Sequence, residues 1–169
     1  GDTWIIAEGG QSQRTSTRLL VIDGKQEVSL SFRKANHLIC NVISELKKPI
    51  VQALIEVKTT DPLLHYTKTD QTGSAILSRL GPPPWTVRIS APGFETITKS
   101  NVNVSPLSVE LKALSSLWVT VVSQDKKPVP DATVWIAGAA LWPSRSTKTN
   151  ADGRVLIQNL YTGMYDITA

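Results

Sequence analysis

Apolar and polar residues alternate along most of the chain in short runs, and Gly, Pro, Asn and Asp stand between the runs. This is the pattern of half-buried strands joined by tight turns. Leu38, Cys40 and Val42 fall on one face of a first strand, and Ala53, Ile55 and Val57 on one face of a second. Further strands are predicted near Tyr66 to Asp70, Ser74 to Ser78, Trp85 to Ser90, Glu95 to Val104 and Leu107 to Ala113, with no helix. Asp70-Gln71-Thr72-Gly73 and Asn150-Ala151-Asp152-Gly153 put a glycine where a tight hairpin needs positive φ. Pro82-Pro83-Pro84 and Ala91-Pro92-Gly93 break the chain between strands. The core expected from this alternation is Leu38, Cys40, Val42, Ala53, Ile55, Val57, Ile76, Trp85, Val87, Ile89, Val102, Val109 and Leu111.

The pattern repeats. Pro49 and Pro128 are 79 positions apart, as are Ala53 and Ala132, while Thr67-Lys68-Thr69 and Gly73 recur 80 positions later as Thr147-Lys148-Thr149 and Gly153. Trp85-Thr86-Val87 recurs as Tyr165-Asp166-Ile167. The same spacing works backwards: Trp4 precedes Val28 by 24 positions, and Trp85 precedes Val109 by 24. A unit of about 80 residues follows, the size of one small β-sandwich. Residues 37–114 are predicted to be one whole sandwich unit. Residues 1–36 read as the closing strands of a preceding or exchanged unit, and 115–169 as the opening strands of a following or exchanged one. The chain opens on Gly1 rather than Met and is expected to be a trimmed or excised segment.

The turn residues resemble those of the carboxypeptidase regulatory-like repeat, a transthyretin-like sandwich. The residues that carry the resemblance are Lys48-Pro49 with Ala53, Thr69-Asp70 with Gly73, Gly81 with Trp85, and Ala91-Pro92-Gly93-Phe94. Most recur in Lys127-Pro128 with Ala132, Thr149-Asn150 with Gly153, and Gly163 with Tyr165. The resemblance implies an all-β fold of tandem seven-stranded Ig-like, transthyretin-like sandwiches. It also implies an accessory, adhesive or spacer role, since such domains are usually not catalysts.

Composition narrows the chemistry. In 169 residues, 18 Lys and Arg against 14 Asp and Glu leave a net charge of +4 spread along the chain, with the densest cations in the turn pairs Lys47-Lys48 and Lys126-Lys127. No gathered basic patch points to nucleic acid, and no apolar run approaches the ~20 residues of a membrane helix. Cys40 is the one thiol; it reads as a core residue, and no internal disulfide or Cys-based zinc site can form. Enzymes of the same architecture provide a second test. Intradiol dioxygenases hold iron with two Tyr and two His, but His37 and His65 form no His-x-His pair, and Tyr165 takes the core place of Trp85. The His/Arg site and Tyr-rich terminal tetrapeptide of hydroxyisourate hydrolases are not recognisable. No G-x-S-x-G elbow is present, and Asp61, Asp70, Asp125, Asp131, Asp152 and Asp166 all sit at predicted turns. The expectation is no enzyme, no metal and no cofactor.

Five Trp remain. Trp4 and Trp85 recur as an aromatic in every copy, as a core plug would. Trp118, Trp135 and Trp142 do not; their counterparts are Ile39, Glu56 and the loop around Pro62-Leu63. Alternation turns Trp118 and Trp135 away from the core face, so these two with Trp142 and Leu141 are the candidate interface or ligand contact. The competing reading packs them under the loop from Ala139 to Pro143. The function expected is a structural or adhesive tandem sandwich segment of a secreted, extracellular or cell-envelope protein. Its partners would be neighbouring repeats or further copies of itself, joined head-to-tail into a filament by strand complementation. The alternative is a carbohydrate-binding or accessory module of a secreted hydrolase, with a glycan on the indoles.

Overall fold

The computed structural model of the chain describes residues 2–10, 13–20, 24–25 and 27–169. Two compact units divide it, Gly1–Lys112 and Ala113–Ala169. The first contains β1 (Asp2–Gly9), β2 (Gln13–Leu20), β3 (Arg33–Lys34), β4 (Asn36–Ser44), β5 (Leu54–Lys58), β6 (Leu64–Lys68), β7 (Ser74–Leu80), β8 (Trp85–Ser90), β9 (Ile97–Val102) and β10 (Leu107–Leu111). The second contains β11 (Ser115–Thr120), β12 (Thr133–Gly138), β13 (Leu141–Lys148), β14 (Arg154–Leu160) and β15 (Asp166–Thr168). Among the described residues there is no helix, and the fold is all-β.

In the first unit, a sheet of order β10-β4-β7 faces one of order β6-β5-β8-β9. All pairs are antiparallel except β10 with β4, which is parallel with Leu107 opposite Cys40 and Leu111 opposite Ser44. One core lies between the sheets, drawing Leu38, Cys40, Val42, Leu77, Val109 and Leu111 from the first and Ile55, Val57, Trp85, Val87, Ile89 and Val102 from the second. Burial pushes the Cys40 thiol up to about 11, leaving an inert apolar side chain. The Trp85 indole keeps its polar handle satisfied by donating from Nε1 to the Gly81 carbonyl at 3.0 Å. Ile76 departs from the expected core: it is 62% exposed, and Ala75 and Leu77 point inward in its place. Ser74-Ala75-Ile76-Leu77 contains three apolar residues in a row, and the register opposite β4 selects the two that face Cys40 and Leu38.

The second unit reproduces the first through its turns. Thr69 Oγ1 donates to the Ile50 carbonyl at 2.6 Å and accepts from the Ala53 amide at 2.9 Å; Thr149 Oγ1 does the same with Val129 at 2.7 Å and Ala132 at 3.0 Å. Asp70 and Asn150 each accept two backbone amides across their turns. Lys47 and Lys126, Gln52 and Asp131, and Arg79 and Asn159 are the matching positive-φ residues. Tyr165 replaces Trp85, and its hydroxyl donates to the Tyr161 carbonyl at 2.7 Å, the position equivalent to Gly81. The sheets match too: β11-β14 corresponds to β4-β7, and β13-β12-β15 to β6-β5-β8. Val134, Ile136, Ile157 and Leu160 are buried. Leu117, Val119 and Val121, the counterparts of the fully buried Leu38, Cys40 and Val42, are only half-buried.

Two strand expectations change. The strand expected from Tyr66 begins at Leu64, so β6 takes in His65 as well; the turn before it closes when Asp61 Oδ1 accepts the Leu63 amide at 3.1 Å. Of the closing strands expected in residues 1–36, β1 and β2 form; among the described residues Val28 and Phe32 lie outside any strand and are exposed, and the short β3 joins β2 instead. The physical reason lies in the ladder. A strand in that place pairs only with the first strand of its unit, as β10 does with β4, and a segment without a ladder leaves its backbone to water. β1 to β3 also belong to the same compact unit as the middle sandwich.

Candidate functional site

The three unrepeated indoles are all exposed, at 59% for Trp118, 52% for Trp135 and 93% for Trp142. Residues 139–140 form only the turn of the β12-β13 hairpin, which is too short to cover them. Trp118 lies on β11 opposite Leu156, and the Arg154 guanidinium stacks 5.3 Å from its ring centre. Trp135 lies on β12 between Ser146 and Thr168. The equivalent pair in the first unit is Glu56 and Arg88, which are ion-paired across β5 and β8 at 2.5 Å. The second unit thus replaces an outward charged pair with an indole and a hydroxyl. Trp118 and Trp135 do not share a face: β11 and β12 belong to different sheets, whereas Trp135 and Trp142 belong to the same one. Leu141 is half-buried against the second core and contributes packing rather than open surface.

A second constellation escapes sequence inspection. The β1-β2 hairpin closes tightly, with Gly9 opposite Gln13 and Glu8 opposite Arg14. That register sends Arg14 against the middle sandwich, where its side chain is 3% exposed and that of Asp61 is 0% exposed. Arg14 Nη2 lies 3.0 Å from Asp61 Oδ2 as a charge contact without hydrogen-bond alignment. Arg14 Nη1 lies 2.8 Å from His65 Nε2 and donates to the Arg79 carbonyl at 2.6 Å. The Arg79 guanidinium reaches back to Glu8 at 3.5 Å. Burial, and secondarily the Arg14 charge, hold the His65 imidazole below the ordinary histidine value, against a weaker pull from Asp61 and Glu8. Asp61, read in sequence as a plain turn residue, thus also carries a buried charge pair. Beside this junction, a cavity of about 700 Å³ is lined by Trp4, Arg14, Arg18, Arg33, Lys34 and hydroxyl side chains. Among the described residues no three His, Cys, Asp or Glu gather as metal ligands.

Residues 40–111, a stretch that takes in β4 to β10 almost entire, match the family model of the carboxypeptidase regulatory-like domain. No curated protein matches the chain. Solved structures similar to it include the TIE protein of Bacillus anthracis, 18% identical over 93% of this chain and 33% of that one, with a TM-score of 0.41. A streptococcal ancillary pilin is 8% identical over 90% of this chain and 60% of that one, at 0.46. The minor pilin GBS52 of Streptococcus agalactiae is 12% identical over 78% of this chain and 81% of that one, at 0.46. The chain therefore spans a third of the first of these proteins and 60% of the second. No helix among the described residues is long and apolar enough to cross a membrane.

Proposed function

We propose that this chain is a non-enzymatic structural segment of an extracellular or cell-surface protein, built as a tandem array of seven-stranded, transthyretin-like sandwiches. Residues 37–114 form one whole repeat, 1–36 contribute the closing strands of another, and 115–169 the opening strands of a third. One observation carries this reading: β11 to β15 reproduce β4 to β8 turn by turn. In the first unit β10 covers the edge of β4; the equivalent edge of β11 is open, and its core residues are half-buried. Open edges and apolar clefts recruit another strand. Repeats of this kind join as covalent neighbours or as copies that exchange strands head-to-tail, and an unclosed contact of the second kind propagates a filament.

Deleting residues 1–33 and following the assembly state by sedimentation tests the exchange between copies. A filament former loses polymerisation. A chain that stays monomeric with and without the segment refutes complementation between molecules and leaves the covalent array. On the second unit, Trp135 and Trp142 offer exposed aromatic surface, and aromatic anchors dominate contact energetics. This surface supports the contact role proposed for Trp135 and Trp142, with Trp118 apart from them on the other sheet, and it favours the second reading of a glycan-binding module. Trp135→Glu, which restores the residue of the sister unit, is expected to remain folded and to weaken whichever contact the indole makes by roughly thirtyfold. An unchanged assembly state together with an unchanged glycan-array profile removes both roles.

A further inference from the structure

We propose that Arg14, Asp61 and His65 form a pH-sensitive latch that holds the β1-β2 hairpin against β6 and β7 at neutral pH and releases it in mildly acidic surroundings. A guanidinium has only donors, so the 2.8 Å contact from Arg14 Nη1 makes His65 Nε2 an acceptor. The imidazole is therefore neutral, with its proton on Nδ1. Protonating it turns that acceptor into a donor and sets a second positive charge against the guanidinium.

The surroundings cannot absorb that charge. Glu8 from β1, Arg14 from β2, Asp61 from the turn before β6 and Arg79 from β7 are the charged groups around His65, two cations and two carboxylates. They balance only while the imidazole is neutral. Arg14 and Asp61 are closed off from water, so little solvent screening is available. The lowered His65 value gives the sign: the neutral form is favoured in the latched state. The latch is at full strength above about pH 6.5, the value of a free histidine, and weakens as the pH falls below it. Release returns the imidazole to that free value. The opening equilibrium can therefore rise by at most roughly thirtyfold between pH 8 and pH 5.

The device is peculiar to the first unit. The position of His65 is taken in the second by Arg145, whose own guanidinium donates to the Gln158 carbonyl at 3.1 Å, and that of Asp61 by Leu141. There the cation comes from the unit's own strand, and no imidazole titrates beside it.

Hydrogen-exchange protection of the β1-β2 amides in the full chain, corrected for intrinsic exchange, tests the proposal between pH 8 and pH 5. Protection should fall several-fold in the natural protein and stay level in His65→Gln, which keeps an acceptor but does not titrate. Constant protection in the natural protein, or an equal fall in the variant, overturns it. Imidazole nitrogen shifts of the unmutated chain provide a check independent of the variant. The proton on Nδ1 at pH 8 with a titration below 6.5 supports the latch, and the proton on Nε2, or a titration at or above 6.5, overturns it.

Discussion

Thr69 holds together the turn on which the first unit depends. Its hydroxyl is buried, donates to Ile50 and accepts from Ala53, so Thr69→Val leaves an amide and a carbonyl without partners at nearly constant volume. The expected loss is about 1 to 3 kcal/mol, read as a lower denaturant midpoint at constant slope. Trp85→Ala should cost about 3 to 5 kcal/mol, because it opens a large cavity and leaves the Gly81 carbonyl with the Asn36 amide alone as its side-chain donor. A Trp85→Ala variant that melts like the natural protein refutes the face assignment. Residues of this kind are legible in sequence, since alternation and recurrence mark them. The meeting of Arg14 with Asp61 and His65 is not: Arg14 lies 51 positions before His65 and reaches the pair only because the hairpin closes at Gly9 and Gln13. Nothing in the local pattern sets that register. Ile76 misleads for a related reason, as a run of three apolar residues does not fix which of them faces inward.

At the scale of the element, turns are conserved between the units while outer faces are not. Gly73 has φ +74°, and a Cβ there would stand 2.5 Å from the Val42 carbonyl oxygen. Gly73→Ala therefore combines a left-handed backbone, costing about 1 to 2 kcal/mol, with a clash against main chain. It should destabilise the first unit, and Gly153→Ala the second, by at least that much in thermal melts. Strand positions follow from the turn residues to within two residues, which is why β4, β7, β8 and β10 are legible. Val28, which the repeat spacing aligns with Val109 of β10, shows the limit of such reading: the spacing fits, but a ladder needs a partner strand, and spacing does not supply one. The outward indoles were legible as departures from the repeat. Their separation onto two sheets was not, because a repeat ruler gives the face of a strand without its neighbours.

For the molecule as a whole, the period of about 80 residues organises the chain, and the turn hydrogen bonds of the two units coincide under it. What distinguishes them is the cover over the first strand: Leu38, Cys40 and Val42 are sealed beneath a sandwich that includes β10, whereas Leu117, Val119 and Val121 are half-buried on β11, which among the described residues pairs with β14 alone. If repeats of seven strands are the building unit, strands with the sequence of β9 and β10 are able to supply that cover to β11. The most direct measurement is amide hydrogen exchange along β11 in a chain extended after Ala169 by a second copy of residues 92–114. The β11 amides should then become as protected as those of β4, with a single cooperative transition for the completed unit. Amides on β11 that exchange as quickly in the extended chain as in the original would contradict the repeat as the unit of this fold.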